Sequence, residues 1–247
     1  MWCDVHSCTD SQCGCQILTV NVDAVKGKAK ALRKDLYLPT YTGAKFNFLD
    51  PLPGHIHIQD MAHALSGMPR YFNHTVWPVT VAFHCCCMHD YLNLMWWDGQ
   101  NDGGYLLAEH GLDLRETDYR NLMKYTLFHD GPEAYLGEWP KPIKAVFGDV
   151  MKRYEEKIQE MIWAKINCIP SPAIKAVVDA VDVGIVYAET ELSGNMRYDL
   201  LPMKMSDSEI KLGRHIYKTL DKYWVHQDHE ATEQYFIQCA RRLGVRL

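Results

Sequence analysis

SPAIKAVVDAVDVGIVYAETELSG, residues 171–194, decides the fold class. Ser171 is a helix-capping type, Pro172 suits a first turn, and Gly194 closes the far end. Between them Ile174, Val178, Val181, Ile185, Ala188 and Leu192 recur at helical spacing. The segment reads as a long helix with one apolar stripe. Asp182 stands on that stripe, where Ile or Leu belongs.

Working outward, the same periodicity continues in both directions. A long apolar helix is expected from Val76 to Trp97, with the stripe Trp77, Val81, Met88, Leu92, Met95 and, at position 84, His84. Thr117 to His129 forms another helix, whose stripe Leu122, Tyr125 ends at His129 and Asp130 before Gly131-Pro132 breaks it. Asp149 to Asn167 turns Val150, Tyr154, Ile158, Met161 and Ile162 inward. Ser206 with Glu209 spells a capping box for a helix reaching about Trp224, and a last helix spans about Glu230 to Leu243. Gln59 to Ser66 is a short helix, and the Tyr, Thr, Phe, Pro and Gly between Leu36 and Pro53 suggest short strands. The expected fold is all-α, one helical domain over 36–247 with a β-hairpin segment near its start. Residues 1–35 form a separate extension carrying Cys3, Cys8, Cys13 and Cys15, spaced unlike any standard zinc finger.

Composition narrows the function classes. The 247 residues are 47% hydrophobic and 23% charged, which excludes a disordered or collagenous chain. A net charge of −5 argues against a grip on long nucleic acid. No apolar run approaches the roughly 18–20 residues of a membrane span, and no secretory signal is read at the N-terminus. Nine cysteines, three of them contiguous at Cys85, Cys86 and Cys87, imply reduced thiols and a cytoplasmic setting.

His84, His129, Asp130 and Asp182 share one anomaly: each is polar on a face that should be buried. A buried, unpaired carboxylate is costly and normally meets a cation or a full set of donors. Two imidazoles and two carboxylates form a mixed nitrogen and oxygen set, suited to a divalent transition metal (Zn, Co, Mn, Fe or Ni), with Mg also admitted. Such a set leaves positions for water and substrate. Glu133, one turn beyond Asp130, stands near the metal but free to handle protons.

These residues carry a resemblance. His84, then His129-Asp130 with Glu133, then Asp182 resembles the signature of the HD-domain metal-dependent phosphohydrolases. YTGAKF at 41–46, LDP at 49–51, IQDMAHALS at 58–66, RYFNHT at 70–75, VAFH at 81–84 and HDGPEAYLGEWPKPIK at 129–144 are similar to its small bacterial and bacteriophage branch. That branch holds deoxynucleotide 5′-nucleotidases and phage deoxynucleoside-triphosphate triphosphohydrolases, a dATPase among them. The resemblance covers about Tyr41 to Glu191. It implies an HD-type helical bundle, a small nucleotide substrate, a homo-oligomer, and the cytoplasm of a bacterial or phage-infected cell. It implies His84, His129, Asp130 and Asp182 as metal ligands and Glu133 as acid/base. Arg70, Lys144 and, more weakly, His74 would hold the substrate, with base choice set near Tyr71, Phe72, Trp77 and the helix of Asp182. Glu138 stands where relatives have an Asp that reads the sugar, and Cys85 where a serine often follows the first ligand. Competing functions are a phosphodiesterase acting on cyclic or short oligonucleotides and a nucleotide-sensing domain without turnover. Off the main pattern, His89-Asp90 reads as a surface or loop pair, His63 as structural, and Glu189 as a buried ion-pair partner for Arg70.

Overall fold

Tyr37–Pro39 (β1) and Lys45–Asn47 (β2) pair antiparallel, with Leu38 opposite Phe46, ahead of a series of helices. The computed structural model describes residues 37–98, 116–140, 143–144, 146, 149–193, 204–220 and 228–247. The cysteine-bearing stretch 1–35, Gly194 and the stretch from Asp221 to Trp224 lie outside those residues. The helices are Ile58–Ser66 (α1), Val81–Asp98 (α2), Glu116–Phe128 (α3), Glu133–Leu136 (α4), Asp149–Ile166 (α5), Pro172–Ser193 (α6), Asp207–Leu220 (α7) and His229–Arg242 (α8). The described residues are mostly helical with one small sheet, as the periodicity implies. Among the described residues, no helix is long and apolar enough to cross a membrane.

Local chemistry sets the helix ends. Ser171 Oγ accepts from Ile174 N at 3.2 Å and starts α6. Ser206 and Glu209 exchange bonds reciprocally, Ser206 N to Oε2 at 2.6 Å and Glu209 N to Oγ at 3.3 Å. At the end of α5, Asn167 adopts φ 49° and Cys168 N donates to Trp163 O at 3.0 Å. Lys124 Nζ satisfies the Ile166 and Asn167 carbonyls there.

Two expectations need correcting. The helix of His84 starts at Val81, not Val76, because Pro78 lacks the N–H a helix interior needs. Thr80 Oγ1 instead caps the new start by accepting from Phe83 N at 3.2 Å. Val76 and Trp77 are therefore 56% and 48% exposed, and Trp77 is not part of the stripe. Val150 is also exposed, since the first turn of α5 overhangs the core that Ile158 and Ile162 enter.

The core is built where α2 packs on α3, α6 on α3 and α7, and α8 on α1 and α2. Phe46 of β2 stacks on Tyr135 of α4 at 3.9 Å between ring centroids, so the hairpin braces the segment after Asp130. Asp60 of α1, itself buried, accepts Thr42 N at 2.6 Å and Thr42 Oγ1 at 3.1 Å, which ties the hairpin turn down. At Gly131 a Cβ would lie 2.7 Å from Ile162 Cδ1 and 2.8 Å from Met61 Cε. Glycine lets the chain turn from α3 into α4 close to α5 and α1 without displacing those side-chain ends or crowding the Phe128 carbonyl, 3.0 Å away.

Candidate metal centre

Three helices converge on one point. His84 comes from the first turn of α2, His129 and Asp130 from the turn after α3, and Asp182 from the middle of α6. His84 Nε2 lies 3.4 Å from His129 Nε2, 3.2 Å from Asp182 Oδ1 and 3.6 Å from Asp130 Oδ2. His129 Nε2 lies 3.4 Å from the same Asp130 oxygen. Donors bound at about 2.0–2.2 Å around one ion stand roughly this far apart.

The other ring nitrogens are already committed. His84 Nδ1 donates to Glu189 Oε1 at 2.7 Å, and His129 Nδ1 to the Thr126 carbonyl at 2.8 Å. With both protons on Nδ1, the two Nε2 lone pairs face one another. That arrangement repels itself unless a proton or a cation lies between. The residues fit a divalent metal, and the structure contains a donor group able to hold one.

Electrostatics favour positive charge here. Burial and the nearby Arg70 charge lower the His84 pKa, but Glu189 and Asp182 outweigh them and push it up to about 9. Burial raises Asp182, yet His84, His129 and Arg70 hold it well below the usual carboxylate range. Glu189 is depressed in the same way, by Arg70 and His84 against its own burial. Glu133 goes the other way. Burial, then the charges of Asp130 and Glu138, lift its carboxyl well above the usual range despite Lys144.

Glu133 is buried at 5% exposure, with Oε1 accepting from Lys144 Nζ at 3.1 Å. Its Oε2 has no donor when both it and Glu138 are ionised. Lys144 also pairs with Glu155 at 2.9 Å. His129, Asp130, Glu133 and Lys144 line a cleft of about 510 Å³, together with Tyr125 and Trp163. Those two rings stack at 4.8 Å.

The four residues read as ligands are thus brought together, with Glu133, Glu138 and Lys144 beside them. Arg70 is buried, its Nη1 3.4 Å from Asp130 Oδ2 and its Nε 3.3 Å from Glu189 Oε2. The Arg70–Glu189 pair is the one the stripe suggested. His74 is exposed and, like Tyr71, Phe72 and Trp77, is not among the residues lining the cleft. Tyr71 O–H donates to Glu189 Oε2 at 2.5 Å instead. Tyr71, Phe72 and Asn73 hold φ of 55°, 51° and 61°, a left-handed turn. Such a turn costs on the order of 1–2 kcal/mol per residue, and here it delivers Arg70 and Tyr71 to the same carboxylate.

The His89-Asp90 reading is corrected. His89 is buried in mid-α2 and Asp90 accepts from Tyr235 O–H at 2.7 Å, because α8 covers that face. Cys85 Sγ lies 4.0 Å from His129 Nδ1, but burial and then Asp130 raise its pKa, so the thiol keeps its proton. The sequence reading missed Glu189 as the acceptor that orients His84. Its signal was present: seven residues, about two helical turns, after Asp182 on one stripe.

No protein-family model matches the chain. An uncharacterized protein of Rhodobacter capsulatus is similar to it, 26% identical over 162 residues, which span 61% of this chain and 69% of that protein.

Proposed function

We propose that this chain is an HD-type metal-dependent phosphohydrolase that acts on deoxynucleotide phosphates, as a triphosphohydrolase or a monophosphate 5′-nucleotidase. The observation that carries the proposal is the pair of Nε2 atoms facing each other at 3.4 Å between two carboxylates, with His129 and Asp130 of that group lining a cleft. His84, His129, Asp130 and Asp182 would hold the ion. When bound, it supplies Lewis acidity toward a phosphoryl oxygen and acidifies water.

The chain's own groups complete the chemistry. Glu133, with its raised carboxyl, takes the proton from the attacking water as the new P–O bond forms. It returns a proton to the oxygen that leaves. Lys144 Nζ, between Glu133 and Glu155, can turn toward phosphate oxygens, while Arg70 adds positive charge behind Asp130. A cleft of about 510 Å³ suits a mononucleotide, and the Tyr125–Trp163 stack offers an aromatic wall for a base.

The test is release of phosphate, or of inorganic tripolyphosphate, from a panel of deoxynucleoside mono- and triphosphates with Mn²⁺, Co²⁺, Zn²⁺ or EDTA. Turnover that needs metal and disappears in Asp130→Ala supports the reading. Metal-independent turnover, or nucleotide binding without turnover under every metal, overturns it.

A further inference from the structure

Away from this centre, α1 and α8 bring together a second set of donors. His63 lies in the last turn of α1, and His229 and Glu233 stand one turn apart at the start of α8. His63 Nδ1 is 2.9 Å from Glu233 Oε2, and His229 Nε2 is 3.7 Å from the same oxygen. All three donor atoms lie within 4.8 Å of one another. Around a tetrahedral ion with bonds of about 2.0–2.1 Å, donors stand roughly 3.3–3.4 Å apart. The two measured gaps bracket that value.

The donors are also held in place. Tyr41 stacks on the His63 ring at 3.8 Å and 8°, which fixes the plane from which Nδ1 faces Glu233. His229 Nε2 now lies 3.0 Å from the His63 carbonyl. That carbonyl also accepts from Gly67 N at 3.3 Å, so turning the imidazole to an ion leaves it paired. The His63 and His229 side chains are 36% and 44% exposed, so an ion reaches them from solvent and keeps a water on its open side.

We propose that His63, His229 and Glu233 bind a divalent ion of the zinc class that clasps the last helix onto α1. Two imidazoles and one carboxylate form a known zinc-binding set. The site is independent of the nucleotide reading. An ion here ties α8 to the helix whose Met61 abuts Gly131, beneath the turn that carries Asp130.

The test counts metal on the full chain after equilibration with Zn²⁺ and desalting. His229→Ala and Glu233→Gln should each hold one zinc fewer than the parent. In an Asp130→Ala background added Zn²⁺ should still raise Tm, and adding His229→Ala should abolish that rise. Co²⁺ loading should show tetrahedral ligand-field absorption that Glu233→Gln loses. Should His229→Ala fail to fold, His229→Gln keeps a hydrogen-bonding side chain and takes its place. Equal zinc content in parent and variants, or a Tm rise in Asp130→Ala that survives loss of His229, overturns the proposal. None of the three readouts uses nucleotide hydrolysis, so failure here leaves the first centre untouched, and the reverse holds too.

Discussion

Glu189→Gln is the most informative substitution, because Glu189 pairs with both His84 and Arg70 behind the candidate metal centre and is not among the residues lining the cleft. Its Oε1 holds His84 Nδ1 at 2.7 Å and its Oε2 faces Arg70 Nε at 3.3 Å. At an effective dielectric of about 20, the Arg70 attraction at that distance is about 5 kcal/mol. Burying the carboxylate itself costs several kcal/mol, which neutralisation returns. Arg70 also keeps Asp130 at 3.4 Å. The expected net loss is about 2–3 kcal/mol, read from urea unfolding of the metal-free chain at pH 7. The Gln oxygen still accepts from His84, so metal affinity should fall about tenfold, against about a hundredfold for Glu189→Ala. Acid behaviour supplies the third arm. Because the folded Glu189 pKa lies below its unfolded value of about 4.3, its contribution is whole above that pH. It is lost as pH falls through the folded value, so the parent should lose stability below about pH 4.3 more steeply than Glu189→Gln. Unchanged unfolding free energy together with unchanged metal affinity would refute the assigned role.

Asp130→Ala should lose bound metal and hydrolysis together, measured by metal content and phosphate release. Glu133→Gln should keep its metal and lose about 10²–10⁴ in rate. It should also be more stable at pH 7, by on the order of 1 kcal/mol. The raised folded pKa of Glu133 gives stability that is greatest below about pH 4.3 and declines as pH rises toward the folded value. Lys144→Ala should lower kcat/KM about tenfold in steady-state kinetics, since Glu155 and Glu133 lose the cation between them. Gly213→Ala should cost about 3 kcal/mol by thermal unfolding. A Cβ there would lie 2.5 Å from Tyr187 Cβ and 2.7 Å from the Gly184 carbonyl, on the crossing of α6 and α7.

What the sequence disclosed follows from how each signal is written. A carboxylate on an apolar stripe is visible one residue at a time, so Asp182 and His84 stand out from their own helices. Caps are local too, and Ser171, Ser206 and Glu209 act as their spacing implies. Pairings between helices are not local. His89 reads as exposed until α8 is laid across α2, and the polar partners of His63, the groups of His229 and Glu233, arrive 166 and 170 residues later. Val76 shows a third limit. Apolar spacing ran through Pro78 without a break, and only backbone chemistry, a missing N–H and a Thr80 cap, moved the helix start to Val81.

The left-handed turn at Tyr71–Asn73 was the least legible feature, since no glycine marks it. Its physical reason is the carboxylate it serves. A right-handed turn would carry the residues after Arg70 along another path, and Arg70 and Tyr71 converge on Glu189 from this one. Glu189 in turn fixes which nitrogen of His84 carries the proton. The turn at Tyr71–Asn73 and the first turn of α2 thereby meet at one buried carboxylate. The apolar stripe of α6 could show Glu189 as out of place, but not that a distant turn had been bent to meet it.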